Sequence, residues 1–243
     1  MTATTVRPLV DDWCFRPVPQ GPGTPQLVCF PHAGGDVTAF SRLAGALAGD
    51  REVVAVRLPG RGGRFHDPVP PRFADLVAQV AAGIGPRLRP GAVFYGQSFG
   101  ALLAYEVART LPPVRLVVAC APAPGEWPAT VPDPATGADR LLRECGLGDE
   151  IPAGHPLYPF MVRVLRTDLA LCHTYRHRPA PRLDIAVHAV AAAGDTVVDP
   201  ARVAGWAAVT TGPFTSSTVP GGHLPASPAA DGPADLLRTL RRS

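Results

Sequence analysis

The chain has 243 residues, 46% apolar and 18% charged, which is enough material for one large α/β domain and excludes global disorder. Its formal net charge of +3 is too small and too evenly spread to point to nucleic acid or a membrane surface. All 23 basic residues are Arg, so chemistry that needs a Lys, such as a Schiff base or a P-loop clamp, is excluded.

The N-terminal MTATTVRPLVDDW has no apolar h-region, so no signal peptide is expected. Short Val-rich runs bounded by turn residues predict strands at Gln26–Phe30, Glu52–Val56, Ala92–Tyr95, Leu116–Cys120 and Ile185–Ala191. Helical patterns fall between and after them, near 37–48, 72–85, 99–110, 200–210 and 231–242. Strand and helix in alternation predict a parallel sheet covered on both faces. Residues 121–184 break the rhythm, because a simple crossover needs only about a dozen residues. This segment opens Pro-rich (APAPGEWPATVPDP) and then carries helical patterns near 138–146 and 156–176. It reads as an inserted helical lid within a single domain spanning 1–243. No run approaches ~18 consecutive apolar residues, so no membrane span is expected. Cysteines 14, 29, 120, 145 and 172 form no CxxC pair, which argues against a disulfide framework or zinc ribbon and for a reducing, cytoplasmic setting.

Gly96-Gln97-Ser98-Phe99-Gly100 is a GxSxG that follows an apolar strand and opens a helix. That context is what a nucleophile elbow requires: a strained turn lifts the Ser, and glycines on both sides allow close packing. The helix N-terminus behind Ser98 favours developing negative charge. Pro31-His32-Ala33-Gly34-Gly35 follows the first predicted strand, where an acyl-transfer enzyme of this kind places an oxyanion donor. The Ala33 and Phe99 amides are the candidates. His32 suits loop architecture better than a base role. Gly221-Gly222-His223 follows the short TSSTV strand, and His223 is the candidate general base. Asp195 and Asp199 both lie just past a strand end and compete to orient His223; Asp199, before Pro200, is equally an N-cap.

Taken together, LVCFPHAGG (27–35), VRLPGRGGRF (56–65), FYGQSFGALLAYEVAR (94–109), LRTDLAL (165–171), GDTVVDP (194–200), GW (205–206), TGPF (211–214) and PGGH (220–223) closely resemble the type II thioesterases of polyketide and nonribosomal peptide synthesis. The resemblance covers nearly the whole chain. It implies an α/β-hydrolase fold with a mostly parallel sheet and a helical lid. It implies hydrolysis of acyl groups from phosphopantetheine thioesters on acyl or peptidyl carrier proteins, with no metal or organic cofactor. A monomer is expected. In two places the chain departs from the pattern: Gln97 stands where the family usually has His, and Val197 where it commonly has the catalytic Asp. Asp195 is the preferred acid, Asp199 the next, and Asp168 in LRTDL a third candidate that suits a structural role better. The departure leaves room for a free esterase or acyltransferase with the same triad, or for a repurposed, non-hydrolytic pathway protein.

Three further features admit two readings each. Arg57, Arg61 and Arg64 either meet a phosphopantetheine phosphate or an acidic carrier helix, or hold their own loop by hydrogen bonds. His173 and His177 mimic a zinc pair at i, i+4, but Thr174 replaces the Glu of HExxH and no third ligand is evident, so a solvated helix face is expected. Leu157, Phe160, Met161, Val164 and Leu165 either line an acyl channel or pack the lid helix.

Overall fold

Side chains along the predicted strand Gln26–Phe30 alternate between two buried clusters, Val28 and Phe30 on one side, Leu27 and Cys29 on the other. A strand buried on both faces needs helices on both faces. The computed structural model, which describes residues 7–145, 152–225 and 234–239, has that arrangement. Its strands are β1 (Leu9–Val10), β2 (Cys14–Arg16), β3 (Gln26–Phe30), β4 (Glu52–Val56), β5 (Val93–Gln97), β6 (Arg115–Ala119), β7 (Ala186–Ala192) and β8 (Phe214–Val219). They form one sheet in the order β1-β2-β4-β3-β5-β6-β7-β8. The pairs from β4 to β8 are parallel, and β1–β2 and β2–β4 are antiparallel. The sheet is mostly parallel, with an antiparallel edge at β1 and β2.

One face carries α2 (Phe73–Ile84) and α3 (Phe99–Ala108); the other carries α1 (Ser41–Ala46) and the helix at Ala234–Thr239. In α2 the buried residues Phe73, Leu76, Val80 and Ile84 recur every three or four positions, as one helix face requires. Every residue of α3 is buried, which matches its all-round apolar sequence. Its single acid, Glu106, accepts a hydrogen bond from the Tyr175 hydroxyl at 2.8 Å and lies 3.6 Å from Arg109. The 200–209 segment is a run of 3₁₀ turns rather than the expected α-helix. The helix expected at 231–242 is described only over Ala234–Thr239, and its two ends lie outside the described residues.

Between β6 and β7 the chain forms α4 (Trp127–Thr130), α5 (Ala138–Glu144) and α6 (Tyr158–Thr174). Residue 146, at the end of the expected 138–146 helix, lies outside the described residues. Helices α5 and α6 share a small apolar cluster of their own, built on Leu141, Leu142, Val162, Leu165 and Leu169. The last helix among the described residues, at Ala234–Thr239, is α7.

The strand–turn–helix at Ser98 depends on two glycines. A Cβ on Gly96 would sit 2.2 Å from the Gly100 carbonyl oxygen, and one on Gly100 would sit 2.1 Å from that of Phe30. Both obstacles are backbone and cannot swing aside. Gly100→Ala is expected to destabilise the protein by about 3 kcal/mol, read as a lower midpoint in urea with an unchanged slope.

Candidate active site

Ser98 stands between β5 and α3 with φ 53° and ψ −122°, a region that L-residues rarely occupy. Its amide donates to the Ala119 carbonyl of the neighbouring strand at 2.9 Å, which ties the turn to the sheet. The strained turn presents the side chain at the C-terminal edge of the sheet, where the loops after β3, β7 and β8 also converge.

The loops after β7 and β8 are joined by backbone. Gly194 donates to the Gly221 carbonyl at 2.9 Å, and Gly221 takes φ 105°. This brings His223 and Asp195 together. His223 Nε2 lies 3.0 Å from Ser98 Oγ, and His223 Nδ1 lies 2.9 and 3.0 Å from the two Asp195 carboxylate oxygens. The His223 and Asp195 side chains are 2% and 1% exposed. Asp195 Oδ1 also accepts from the Val197 and Val198 amides at 2.9 and 3.0 Å. Burial alone would push this carboxyl up. The hydrogen bond and charge of His223, with the two amides, outweigh it and hold the carboxyl below its ordinary value.

The other acidic candidates are placed elsewhere. Asp199 is exposed and caps the 3₁₀ segment, accepting from the Ala201 amide at 2.9 Å with Pro200 behind it. Asp168 is buried on α6 and pairs with Arg61. Val197, where the resemblance expects the acid, packs against the α5–α6 apolar cluster and lines a cavity.

That cavity has a volume of about 260 Å³ and opens beside Ser98. Ala33 and Phe99 line it together with Ser98, and Trp127, Val131, Leu141 and Leu169 contribute further to its walls. Phe99 is the first residue of α3, so its N–H belongs to the unpaired first turn of that helix. At the rim, Arg202 binds Glu126 Oε2 through two nitrogens at 2.9 and 2.5 Å. Trp206 and Gly205 brace the same region. The indole N–H of Trp206 donates to the Ala121 carbonyl at 2.8 Å, and Gly205 leaves 3.0 Å between a would-be Cβ and Ala123.

Several sequence expectations change here. Of the five apolar residues expected along the lid helix, Leu157 is 54% exposed and Phe160 stacks on Phe65 at 4.9 Å. Met161 packs in the α5–α6 cluster, and Val164 is buried. Only Leu165 faces the site, in a small cleft shared with Ser98 and His223. The stripe that lines the large cavity lies further along, at Leu169 and Cys172. Those two positions continue the helical spacing from Leu165, so their signal lies in the sequence.

The three arginines are engaged by other parts of the protein and by their own loop rather than offered to an anion. Arg57 donates to the Asp11 carbonyl. Arg64 reaches Asp67 at 2.7 Å and the Arg57 carbonyl at 3.0 Å, and covers the Trp13 ring. Arg61 is buried against Asp168. His173 contacts the Pro132 carbonyl at 3.1 Å, and no group of metal-ligand residues is found among the described residues.

His32 is buried, and its ring lies directly under Gly35, where a Cβ would come within 2.8 Å. Burial first, then the charges of His223 and Arg61, push it down to about 3. A His whose folded value lies below its ordinary 6.5 binds fewer protons folded than unfolded between those values. Stability from this residue is therefore complete above pH 6.5 and is lost as pH falls towards 3. His32→Gln is expected to flatten the acid limb of a stability–pH curve across that window.

The comparisons with known proteins give the family. The thioesterase-domain family matches residues 25–243. Thioesterase PikA5 of Streptomyces venezuelae is 32% identical over 90% of this chain and 83% of its own length. Among solved structures, the RedJ thioesterase of the prodiginine biosynthetic pathway in Streptomyces coelicolor is 35% identical, with a TM-score of 0.77 over 89% of each chain. The type II thioesterase BorB from the borrelidin biosynthetic cluster is 31% identical, with a TM-score of 0.74 over 88% of this chain and 91% of its own. The chain belongs to the thioesterase family, as a type II thioesterase built on the α/β-hydrolase fold.

Proposed function

We propose that the chain removes acyl groups from phosphopantetheine thioesters on acyl or peptidyl carrier proteins, with Ser98 as nucleophile, His223 as general base and Asp195 as the orienting acid. The observation that carries this reading is the continuous hydrogen-bonded chain from Asp195 through His223 to Ser98, which itself lines a cavity. Residues 121–184 serve as the lid of a single hydrolase unit. The place of action is the cytoplasm, in keeping with five unpaired cysteines.

His223 takes the Ser98 proton as Oγ attacks the thioester carbonyl. The Ala33 and Phe99 amides hold the oxyanion. The C–S bond breaks, and the imidazolium returns the proton to the departing pantetheine sulfur. Water, deprotonated by His223, then attacks the acyl-Ser98 ester, and the acid is released with Ser98 Oγ reprotonated. Asp195, kept ionised by its surroundings, fixes the His223 tautomer and stabilises the transient imidazolium.

The cavity sets the acyl class. Benzene fills an apolar cavity of about 150 Å³, or roughly 25 Å³ per carbon, so this one suits a chain of up to about ten carbons. Leu169→Trp fills it. Its kcat/KM for decanoyl-pantetheine is expected to fall roughly tenfold or more, with acetyl-pantetheine changed by less than about twofold. Equal losses on both chains would show that the acyl group does not lie against Leu169.

A further inference from the structure

We propose that Asp168 and Arg61 are positioning residues for the oxyanion-binding turn, which they hold to the lid helix in the orientation that catalysis needs. The turn is His32–Gly35: the Gly35 amide donates to the His32 carbonyl at 2.9 Å, and Gly34 takes φ 76°, as the third residue of a type II turn does. The central peptide of such a turn has two orientations, type I and type II, that leave the ends of the turn in place. Its N–H, on Gly34, is captured by Asp168 Oδ2 at 2.8 Å. Arg61 closes the clamp. One guanidinium nitrogen reaches Asp168 Oδ2 at 2.7 Å and the Gly35 carbonyl at 3.3 Å, and the other reaches Asp168 Oδ1 at 2.5 Å. One buried ion pair thereby fixes the Ala33–Gly34 peptide by its N–H and the Gly35–Asp36 peptide by its carbonyl.

The pair is shielded from water: Asp168 is 0% exposed and Arg61 5%. Helix α6 packs directly on the turn, with Leu165 Cβ 3.3 Å from where a Gly34 side chain would begin. Gly62, at φ 49°, lets the Asp36 carboxylate pack against the chain beside Arg61, and Asp36 in turn caps the 3₁₀ turn at Val37–Phe40. A buried pair of this kind is a weak stability device, since apolar residues of similar volume often replace one at no loss. Its geometric product is the turn. Moving the lid helix moves the Asp168 carboxylate, so the oxyanion site is complete only with the lid seated.

The proposal rests on the oxyanion role assigned to the Ala33 amide, and its test separates the two. The probe is a p-nitrophenyl alkylphosphonate. Ser98 Oγ forms a bond to phosphorus, p-nitrophenolate leaves, the Ser98 proton passes to His223, and the adduct keeps a phosphoryl oxygen where the oxyanion would sit. Arg61→Met combined with Asp168→Leu is compared with wild type for melting temperature, phosphonylation rate, and kcat and KM on an acyl-pantetheine thioester. The expected result is a folded protein whose phosphonylation rate and kcat are both lower by about 10²-fold, with KM within about threefold. A folded double variant that reacts at the wild-type rate overturns the proposal. If the double variant does not fold, Asp168→Asn carries the test. One carboxylate oxygen becomes an NH2 that faces a donor, so Asn cannot accept from Gly34 and from both Arg61 nitrogens together, and a fall of about tenfold or more in both rates at constant KM is expected; unchanged rates overturn the proposal. A wild type that is never labelled at Ser98 overturns the functional reading and the positioning proposal with it.

Discussion

Asp195→Asn is expected to lower kcat on an acyl-pantetheine thioester by about 10³- to 10⁴-fold, while Asp199→Asn stays within about twofold of wild type. The contrast follows from placement. Asp195 holds both oxygens about 3 Å from His223 Nδ1 and is itself gripped by the Val197 and Val198 amides. An Asn there still fills the space, but it can donate to Nδ1 and so stabilise the wrong imidazole tautomer. Asp199 sits outside, capping a 3₁₀ segment, a role that Asn fills about as well, so this variant is expected to keep its stability as well as its activity. The acid dependence gives a second readout. Because Asp195 is held below its ordinary value, its contribution to stability is full above that ordinary value and is lost as pH falls through the lowered one. The stability gap between wild type and Asp195→Asn should therefore narrow only in strong acid. Loss of activity in Asp199→Asn with Asp195→Asn intact would reverse the assignment.

Ser98→Ala is expected to have the largest effect, on the order of a 10⁵- to 10⁶-fold loss of kcat. It removes the nucleophile and leaves the elbow unchanged, since Ala keeps a Cβ at the same positive φ. Its melting temperature should match wild type, so the loss reads as chemistry. Because Ser98 and His223 act as one unit, His223→Ala should cost nearly as much, and the double variant little more than either single one. A variant at Ser98 that retained function would favour a binding or isomerase-like role instead.

The nucleophile elbow was legible because its requirements are local. Gly96, Ser98 and Gly100 lie within five residues, and the strand before and helix after announce themselves by pattern. The five strands read from apolar runs appear within a residue or two of their expected ends. The edge strands β1 and β2 were not legible, because runs of two and three residues carry no periodicity. They are held instead by Asp11, whose side chain accepts from the Trp13 and Cys14 amides and pairs with Arg87. The 3₁₀ character of 200–209 was hidden behind a helical apolar spacing.

The acid stayed ambiguous in the sequence because Asp195 and Asp199 both follow the same strand. What separates them is the Gly194–Gly221 backbone bond, a contact between loops that no local pattern encodes. The Arg61–Asp168 pair spans 107 positions and turns an apparent surface cation into a buried one. The acyl cavity is likewise assembled from separate segments, with Ala33, Trp127, Leu169 and Val197 each coming from a different one. Val197 shows why the family position alone misleads: its backbone supports the acid while its side chain serves as cavity wall.

The most direct measurement is the intact mass of the protein after rapid mixing with octanoyl-pantetheine thioester, followed by peptide mapping. The account predicts thiol release together with a transient octanoyl adduct on the peptide that carries Ser98, absent in Ser98→Ala and formed far more slowly in Asp195→Asn. Thiol release with no adduct at Ser98, or release that persists in Ser98→Ala, would contradict it.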